Sequence, residues 1–253
     1  MEQDRIQTAM IMAAGLGTRM QTLTNSLPKP LLRIGKFTLL EIALRKLKNS
    51  GIRRVAINVH YKKEEIKSYL AQQPVEGLDI FISEEETLMG TGGGIAKAEP
   101  FFQGETILVL NPDVLCDISI ARFTRFHFAS GAIASMALLP SRDFRNYGLV
   151  IYTQQNRIES FQLRNQPIPP GALSGIFTGY QILSPDARSY LVARASSIIS
   201  SFYLKALYDR QPIAAYLHDG EWVDVGTKPQ YSDTILLHEN GQFNPERYFT
   251  APG

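Results

Sequence analysis

The residues best suited to chemistry near the start of the chain are Gly15, Gly17, Thr18 and Arg19 in AMIMAAGLGTRM, followed ten residues after Arg19 by Lys29 in LPKPL. A loop with two glycines leaving an apolar run can turn several backbone N–H groups toward one anion, because glycine accepts positive φ and carries no Cβ to block approach. Phosphate is the natural guest. The loop is neither of the common phosphate motifs: Met20 stands where the third glycine of G-x-G-x-x-G would be, and the GK[ST] ending of a P-loop is missing. A plain strand-to-helix turn would account for the glycines, but not for Arg19 and Lys29 within reach of them. Pro28 and Pro30 flank Lys29 and are expected to hold it extended.

Two carboxylates stand out further along. Asp113 follows the apolar run TILVL, which places it at the carboxyl edge of a sheet, and Asp224 lies in WVDVGT. Read from the residues alone, Asp113 is a turn aspartate and Asp224 a helix cap. Brought together, they could also hold Mg²⁺, which favours oxygen ligands from one or two carboxylates plus substrate phosphates. Asp117 is close enough to Asp113 to support it, or is a solvated surface carboxylate. Glu85, between Glu84 and Glu86, carries a carboxylate that can only accept hydrogen bonds when ionised, or belongs to a solvated acidic run. Cys116, the only cysteine, excludes an internal disulfide and a cysteine-based metal cluster and reads as a small core residue. The histidines at 60, 127, 218 and 238 have no ligand-like spacing.

Elements must position these groups. Short apolar runs at Thr8 to Ala13 and Thr106 to Leu110 read as buried strands, Arg54 to His60 and Leu78 to Ser83 as further strands, Thr38 to Asn49 as an amphipathic helix and Lys62 to Gln72 as a helix. Thr91 to Ala98 starts glycine-rich and turns helical. After Gly131 the segments AIASMALLP, YGLVIYT, RIESFQL and Ala172 to Leu183 read as strands without long helices between them, so the sheet gains antiparallel members. Ser197 to Tyr208 reads as a helix, Ile213 to His218 and Trp222 to Val225 as short strands, and Tyr231 to His238 as a closing helix. The alternation predicts an α/β fold, a Rossmann-like three-layer α/β/α sandwich around a mixed, mostly parallel sheet. A single domain is expected over 1–253, with a first half over about 8–130 and a second over about 131–240.

At 253 residues and 44% apolar composition the chain can build a large core, and a net charge of +2 gives no reason to expect a nucleic-acid or anionic-membrane partner. The polar start MEQDRIQ and the short apolar run after it predict neither signal peptide nor membrane anchor, with the cytoplasm as the default location.

GLGTRM followed by LPKPL resembles the N-terminal signature of the sugar-1-phosphate nucleotidyltransferases, and further matches follow in order: EEETLMGTGGG, VLNPDVLCD, a GxxxxGY-like strand around Gly175 and Gly179, and WVDVGT. The resemblance implies that an NTP and a sugar 1-phosphate become an NDP-sugar and pyrophosphate, a nucleotide-sugar precursor for cell wall or polysaccharide. It implies Asp113 and Asp224 as ligands of Mg²⁺, Arg19 and Lys29 as catalytic cations, and Ala13, Ala14, Gly15, Gly17, Thr18, Glu85, Gly90, Thr91 and Asn111 around the nucleotide. Gly148, Arg164, Gly175 and Gly179 fall on the sugar-phosphate side. The family's usual N-G-D or N-S-D is Asn111-Pro112-Asp113 here, so the residue before the metal aspartate lacks an N–H. The V-E-K-P motif is absent; Leu163 to Pro167 stands in its place, with Arg164, Arg142 or Arg145 as replacement cation. TGGGIAKA and WVDVGT are most similar to N-acetylmuramate-1-phosphate uridylyltransferases, favouring UTP. VLNPDVLCD and RNYGLVIY resemble mannose-1-phosphate guanylyltransferases, for which GTP is the nucleotide. A nucleotide-binding regulatory domain without turnover stays open because of Pro112.

Overall fold

The computed structural model describes residues 5–24, 26–143 and 146–249. The strands are β1 (Thr8–Met12), β2 (Arg33–Ile34), β3 (Phe37–Thr38), β4 (Arg54–Val59), β5 (Asp79–Glu84), β6 (Ile107–Leu110), β7 (Val114–Cys116), β8 (Ala134–Pro140), β9 (Leu149–Tyr152), β10 (Ile158–Gln162), β11 (Leu173–Leu183), β12 (Ile213–Leu217) and β13 (Trp222–Asp224). The α-helices are α1 (Leu39–Asn49), α2 (Lys63–Gln72), α3 (Gly90–Lys97), α4 (Glu99–Phe102), α5 (Ile120–Ser130), α6 (Pro185–Arg188), α7 (Leu204–Tyr208) and α8 (Lys228–Glu239). None of the described helices is long and apolar enough to cross a membrane.

Nine strands form one sheet through both expected halves, in the order β10-β9-β11-β6-β1-β4-β5, with β8 joined to β11 and β12 to β8. β6, β1, β4 and β5 are parallel, while β11 runs antiparallel to β6, β8 and β9. The expected mixed α/β sheet is what forms. Ala9 and Ile11 of β1 join a core with α1, α2 and α5 on one face, and Met10 joins a second core with α3, α4 and α7 on the other. Alternation of side chains across a strand buried on both faces produces this split.

Two local devices matter for the site. α1 starts where the Thr38 hydroxyl accepts the Glu41 N–H at 3.1 Å, as an N-cap. β7 and β13 form a separate antiparallel ribbon, with Asp224 opposite Val114 and Trp222 opposite Cys116. Leu115 and Val225 anchor that ribbon in a third core with Met20, Leu32 and Tyr248.

The chain departs from expectation in three places. β7 is too short to carry a pattern of its own, and α5 is an amphipathic helix absent from the expected elements, with Ile120, Phe123, Thr124 and His127 buried and the Ser119 hydroxyl as its cap. The segment read as one helix from Ser197 begins with a π-helical turn, Ile199–Tyr203, before α7. Lys29 is not extended: it opens a short 3-10 turn, Lys29–Leu31, in which Leu31 N–H donates to Pro28 O at 2.9 Å and Leu32 N–H to Lys29 O at 3.0 Å. Tertiary partners of the Lys29 ammonium override the bias of a residue before proline.

Candidate active site

β1, buried on both sides, delivers the glycine loop to the end of the sheet. Ala13 N–H donates to Asn58 Oδ1 at 2.8 Å, fixing the exit from β1 against β4. Gly17 then turns with φ +66°, and its carbonyl accepts Met20 N–H at 2.8 Å and the Thr24 hydroxyl at 3.2 Å. A Cβ at Gly17 would lie 2.8 Å from the Thr24 methyl, so the turn needs glycine for both φ and space. Thr18 opens a 3-10 helix, Thr18–Thr24, in place of an α-helix, and Arg19 on its first turn is exposed.

The loop borders a cleft of about 390 Å³. Ala13, Ala14, Gly15, Gly17, Thr18 and Arg19 line it on one side, Gly90 and Thr91 on another, and Lys29, Asn111 and Asp113 close it with Gly226. With Asn58 of β4 also in the lining, residues from six regions of the chain meet at one edge of the sheet, where open α/β folds bind ligands.

The Lys29 ammonium pairs with Asp113 Oδ2 and donates to Gly226 O at 3.0 Å. Asp113 is brought to Asp224 by the β7–β13 register: beyond the Asp224–Val114 pair, Val225 N–H donates to Asp113 O at 3.0 Å. Asp224 Oδ1 accepts Gly226 N–H at 2.7 Å, and Oδ2 accepts both the Tyr147 hydroxyl and Gln230 Nε2 at 3.2 Å. Gln230 is itself held by the capping box of α8, its Oε1 accepting Thr227 N–H at 3.1 Å. Thr227 therefore caps the helix, and Asp224 is free of the capping role that its position in the sequence allowed. Asp113 lines the cleft and faces a cation, whereas Asp224 lies outside the lining and is held next along the ribbon; both are hard-oxygen donors of the kind Mg²⁺ takes. Pro112 suits this turn: Val114 N–H points to Asn111 O at 3.4 Å, so Pro112 occupies the second position of a β-turn, where its fixed φ is favoured and its missing N–H is not needed.

Glu85 is 1% exposed and lies behind the cleft, outside the set of lining residues. Its Oε1 accepts Asn58 Nδ2 at 2.7 Å and its Oε2 accepts Met89 N–H at 2.8 Å. Glu86 is the exposed member of the acidic run, and Glu84 is half-buried, its carboxyl pulled down to about 2 by hydrogen bonds from Lys67 and Lys63. The glycines after Gly90 admit protein backbone. Gly92 N–H donates to Ser196 O at 2.9 Å, Ser196 N–H to Met89 O at 2.9 Å, and Ile198 N–H to Thr91 Oγ1 at 2.8 Å. A Cβ at Gly90 would lie 2.6 Å from Ser196 O. Only Gly90 and Thr91 of that run face the cleft.

The sugar-side residues are more scattered. Gly148, Arg164, Gly175 and Gly179 do not line the cleft. Gly175 lets β11 approach β8, since a Cβ there would lie 2.9 Å from Leu139 O. Gly179, with φ +88°, accepts Asn111 N–H at 3.2 Å and so orients Asn111 toward the cleft. Arg164 is exposed, and Arg142 donates to Ala172 O at 3.3 Å. Arg145 lies outside the described residues. Trp222 donates through Nε1 to Thr178 O at 3.1 Å and meets the Tyr147 ring edge-on at 5.4 Å, tying Tyr147 to the ribbon that carries Asp224.

Asn58, Tyr147 and Gln230 were not singled out from the sequence. Asn58 left a signal, a lone amide in the apolar strand RVAINVH, where a polar side chain must find partners. Thr227 and Gln230 have capping-box spacing. Nothing in the sequence marks Tyr147 as a partner of Asp224.

Residues 8–240 match the family model described as "Nucleotidyl transferase". A UTP–glucose-1-phosphate uridylyltransferase from Synechocystis is 31% identical over 242 residues, covering 90% of this chain and 62% of that protein. The catalytic subunit beta of a mannose-1-phosphate guanylyltransferase from Drosophila pseudoobscura pseudoobscura is 26% identical over 97% of this chain and 66% of its own. The chain thus spans somewhat under two thirds of the length of these relatives. Among solved structures, a UDP-glucose pyrophosphorylase complexed with UDP-glucose matches with a TM-score of 0.79 at 20% identity over 94% of this chain and 100% of that one. HddC from Yersinia pseudotuberculosis complexed with GMP-PN matches with a TM-score of 0.76 at 21% identity over 91% of this chain and 99% of that one. These two carry the fold. With its α/β sheet, its glycine-loop cleft and a family match over almost its whole length, the chain belongs to the nucleotidyl transferase family.

Proposed function

We propose that this cleft joins a nucleoside triphosphate to a sugar 1-phosphate, giving an NDP-sugar and pyrophosphate. The observation that carries the reading is the meeting of the glycine loop, Lys29 and Asp113 at one cleft, with Asp224 paired to the residue after Asp113 across the β7–β13 ribbon. In the reaction a phosphate oxygen of the sugar 1-phosphate attacks the α-phosphorus, the bond from that phosphorus to the α,β-bridging oxygen breaks, and pyrophosphate leaves with the electron pair. Such a transfer asks for positioning and charge neutralisation rather than a protein nucleophile.

The backbone from Gly15 to Arg19 and the Arg19 guanidinium would hold the β- and γ-phosphates. Lys29, paired with Asp113 in the free protein, would turn its ammonium to the α-phosphate, where charge grows as the bond forms. Mg²⁺ held by Asp113 and Asp224 would supply further neutralisation of the phosphate oxygens. Ala13, Ala14, Thr18, Gly90, Thr91 and Asn111 would wall the nucleotide. Glu85 would act on the base indirectly, through its hold on Met89 at the start of α3.

Gly148, Arg164, Gly175 and Gly179, with Tyr147 and Trp222, frame the proposed sugar side. The relatives' names speak for glucose and mannose 1-phosphates, whereas TGGGIAKA and WVDVGT carry the finer expectation of N-acetylmuramate 1-phosphate. UTP is favoured and GTP is the alternative. The fit of Pro112 to its turn weakens the reading as a binding domain without turnover. Incubating the protein with Mg²⁺, each NTP and a panel of sugar 1-phosphates while detecting pyrophosphate tests the proposal. Release that needs both substrates supports it, and no release with any pair overturns it in favour of the binding-only reading.

A further inference from the structure

The ribbon that brings Asp113 to Asp224 has a second end. Four residues beyond Asp113, a distance of roughly 13 Å at strand rise, the chain places Cys116 and Asp117 beside His218, and the nearest ligand-type atoms of the three all lie within 4.8 Å of one another. His218 is 5% exposed and the Cys116 side chain is buried. Asp117 Oδ1 is also buried and has no hydrogen-bond partner, while His218 Nε2 lies 3.1 Å away, an ion pair only when the imidazole is protonated. Nε2 has only a long contact, 3.3 Å, to Glu221 O. An acceptor oxygen and a ring nitrogen this close without a hydrogen bond are costly in a buried place. A shared cation resolves the contact, since two ligands about 2.0–2.1 Å from one zinc at a tetrahedral angle stand roughly 3.3 Å apart.

The surrounding chain is shaped to the cluster. A Cβ at Gly220 would come within 2.8 Å of His218 Cε1 and 2.9 Å of Asp117 Cγ, so only glycine lets the β12–β13 connection close over it. The donor set of thiolate, imidazole and one carboxylate is too soft for Mg²⁺ and suits Zn²⁺ or a metal of similar preference.

We propose that Cys116, Asp117 and His218 form a second metal site, of the Zn²⁺ class, that clamps the β7–β13 ribbon at the end opposite Asp113 and Asp224. The site is structural and independent of the nucleotidyl-transfer reading. Burial holds the free thiol at about 12, so metal entry breaks the S–H bond, forms the S–metal bond, and releases the proton to solvent past the partly exposed Asp117. The thiolate and the carboxylate balance the divalent charge, leaving the Lys46 ammonium to its bond with Cys116 O at 2.8 Å. A clamp at this end fixes the register in which Asp224 stands opposite Val114.

Co²⁺ added to chelator-treated full-length protein is the test, read by the near-ultraviolet thiolate-to-cobalt charge-transfer band and its displacement by Zn²⁺. The expected result is a band in the unaltered protein, absent in Cys116→Ser, at least about tenfold weaker in Co²⁺ affinity in His218→Asn, and retained in Asp113→Asn. Absence of a thiolate band in the unaltered protein overturns the proposal, as does a band that survives Cys116→Ser or disappears in Asp113→Asn. Should Cys116→Ser fail to fold, the unaltered protein and His218→Asn decide: a band of undiminished affinity in His218→Asn refutes the site.

Discussion

Replacing Asn58 by Leu tests whether the glycine loop and the start of α3 are held by one buried amide. Asn58 is 1% exposed; its Oδ1 accepts Ala13 N–H at 2.8 Å and its Nδ2 donates to Glu85 Oε1 at 2.7 Å. Leu keeps the branched outline and opens no cavity, so the loss is mainly electrostatic. An orphaned buried N–H costs about 1–3 kcal/mol, and a hydrogen bond withdrawn from a buried carboxylate about 1.5–3 kcal/mol. The sum, about 2.5–6 kcal/mol, is a large share of the roughly 5–15 kcal/mol stability of a typical domain. Urea unfolding should show a lower midpoint with an unchanged m-value. Because Ala13 lines the cleft and Glu85 holds Met89, KM for the nucleotide should rise several-fold in the same variant. Asn58→Asp should be worse at neutral pH than at acid pH, since two adjoining buried carboxylates cannot both ionise cheaply. A loss under about 1 kcal/mol with unchanged KM would refute the argument that this amide organises the cleft.

Lys29→Met, which leaves Asp113 without its ammonium, should lower kcat by about 10²–10³ in a pyrophosphate-release assay, the scale of one lost electrostatic donor; an effect confined to KM would remove Lys29 from the reacting phosphate. Gly17→Ala must carry φ +66° and meet Thr24, so urea unfolding should show it about 1–3 kcal/mol less stable, whereas Gly104→Ala, with φ +76° but nothing within 4 Å of its Cβ, should lose less. Burial lowers the pKa of His127 to about 4, with Nδ1 2.9 Å from Ser135 Oγ. Its folded value lies below the unfolded 6.5, so its contribution is complete above about pH 6.5 and is lost as pH falls through about 4, some 3 kcal/mol in all. His127→Gln should flatten the stability profile across that window, and an unchanged slope would assign the acid sensitivity elsewhere.

The parallel half of the fold was legible because buried strands and amphipathic helices each carry their own period, as TAMIM and LLEIALRKLKN do. β7 was not, since three residues gain strand geometry only by pairing with β13 more than a hundred residues later. The site was legible where a residue type implies its chemistry, as for Gly17, Lys29 and Asp113, all of which reach the cleft. It was illegible where function depends on what a residue packs against. The run after Gly90 reads as room for a ligand, yet Gly92 accommodates the Ser196 segment. Glu85 reads as a surface acid, yet Asn58 and Met89 hold it inside. His218 has no partner at any metal-like spacing in the sequence, and only the ribbon brings it to Asp117.

The central claim is that the cleft transfers a nucleotidyl group, and following the α-phosphorus of the nucleotide through the reaction tests it most directly. With α-labelled and γ-labelled NTP, Mg²⁺ and an accepted sugar 1-phosphate, the account predicts the α-label in an NDP-sugar and the γ-label in pyrophosphate, with both abolished together in Asp113→Asn and in Asp224→Asn. The α-label in free nucleoside monophosphate, the γ-label in inorganic phosphate, or product formation undiminished in both variants would contradict it.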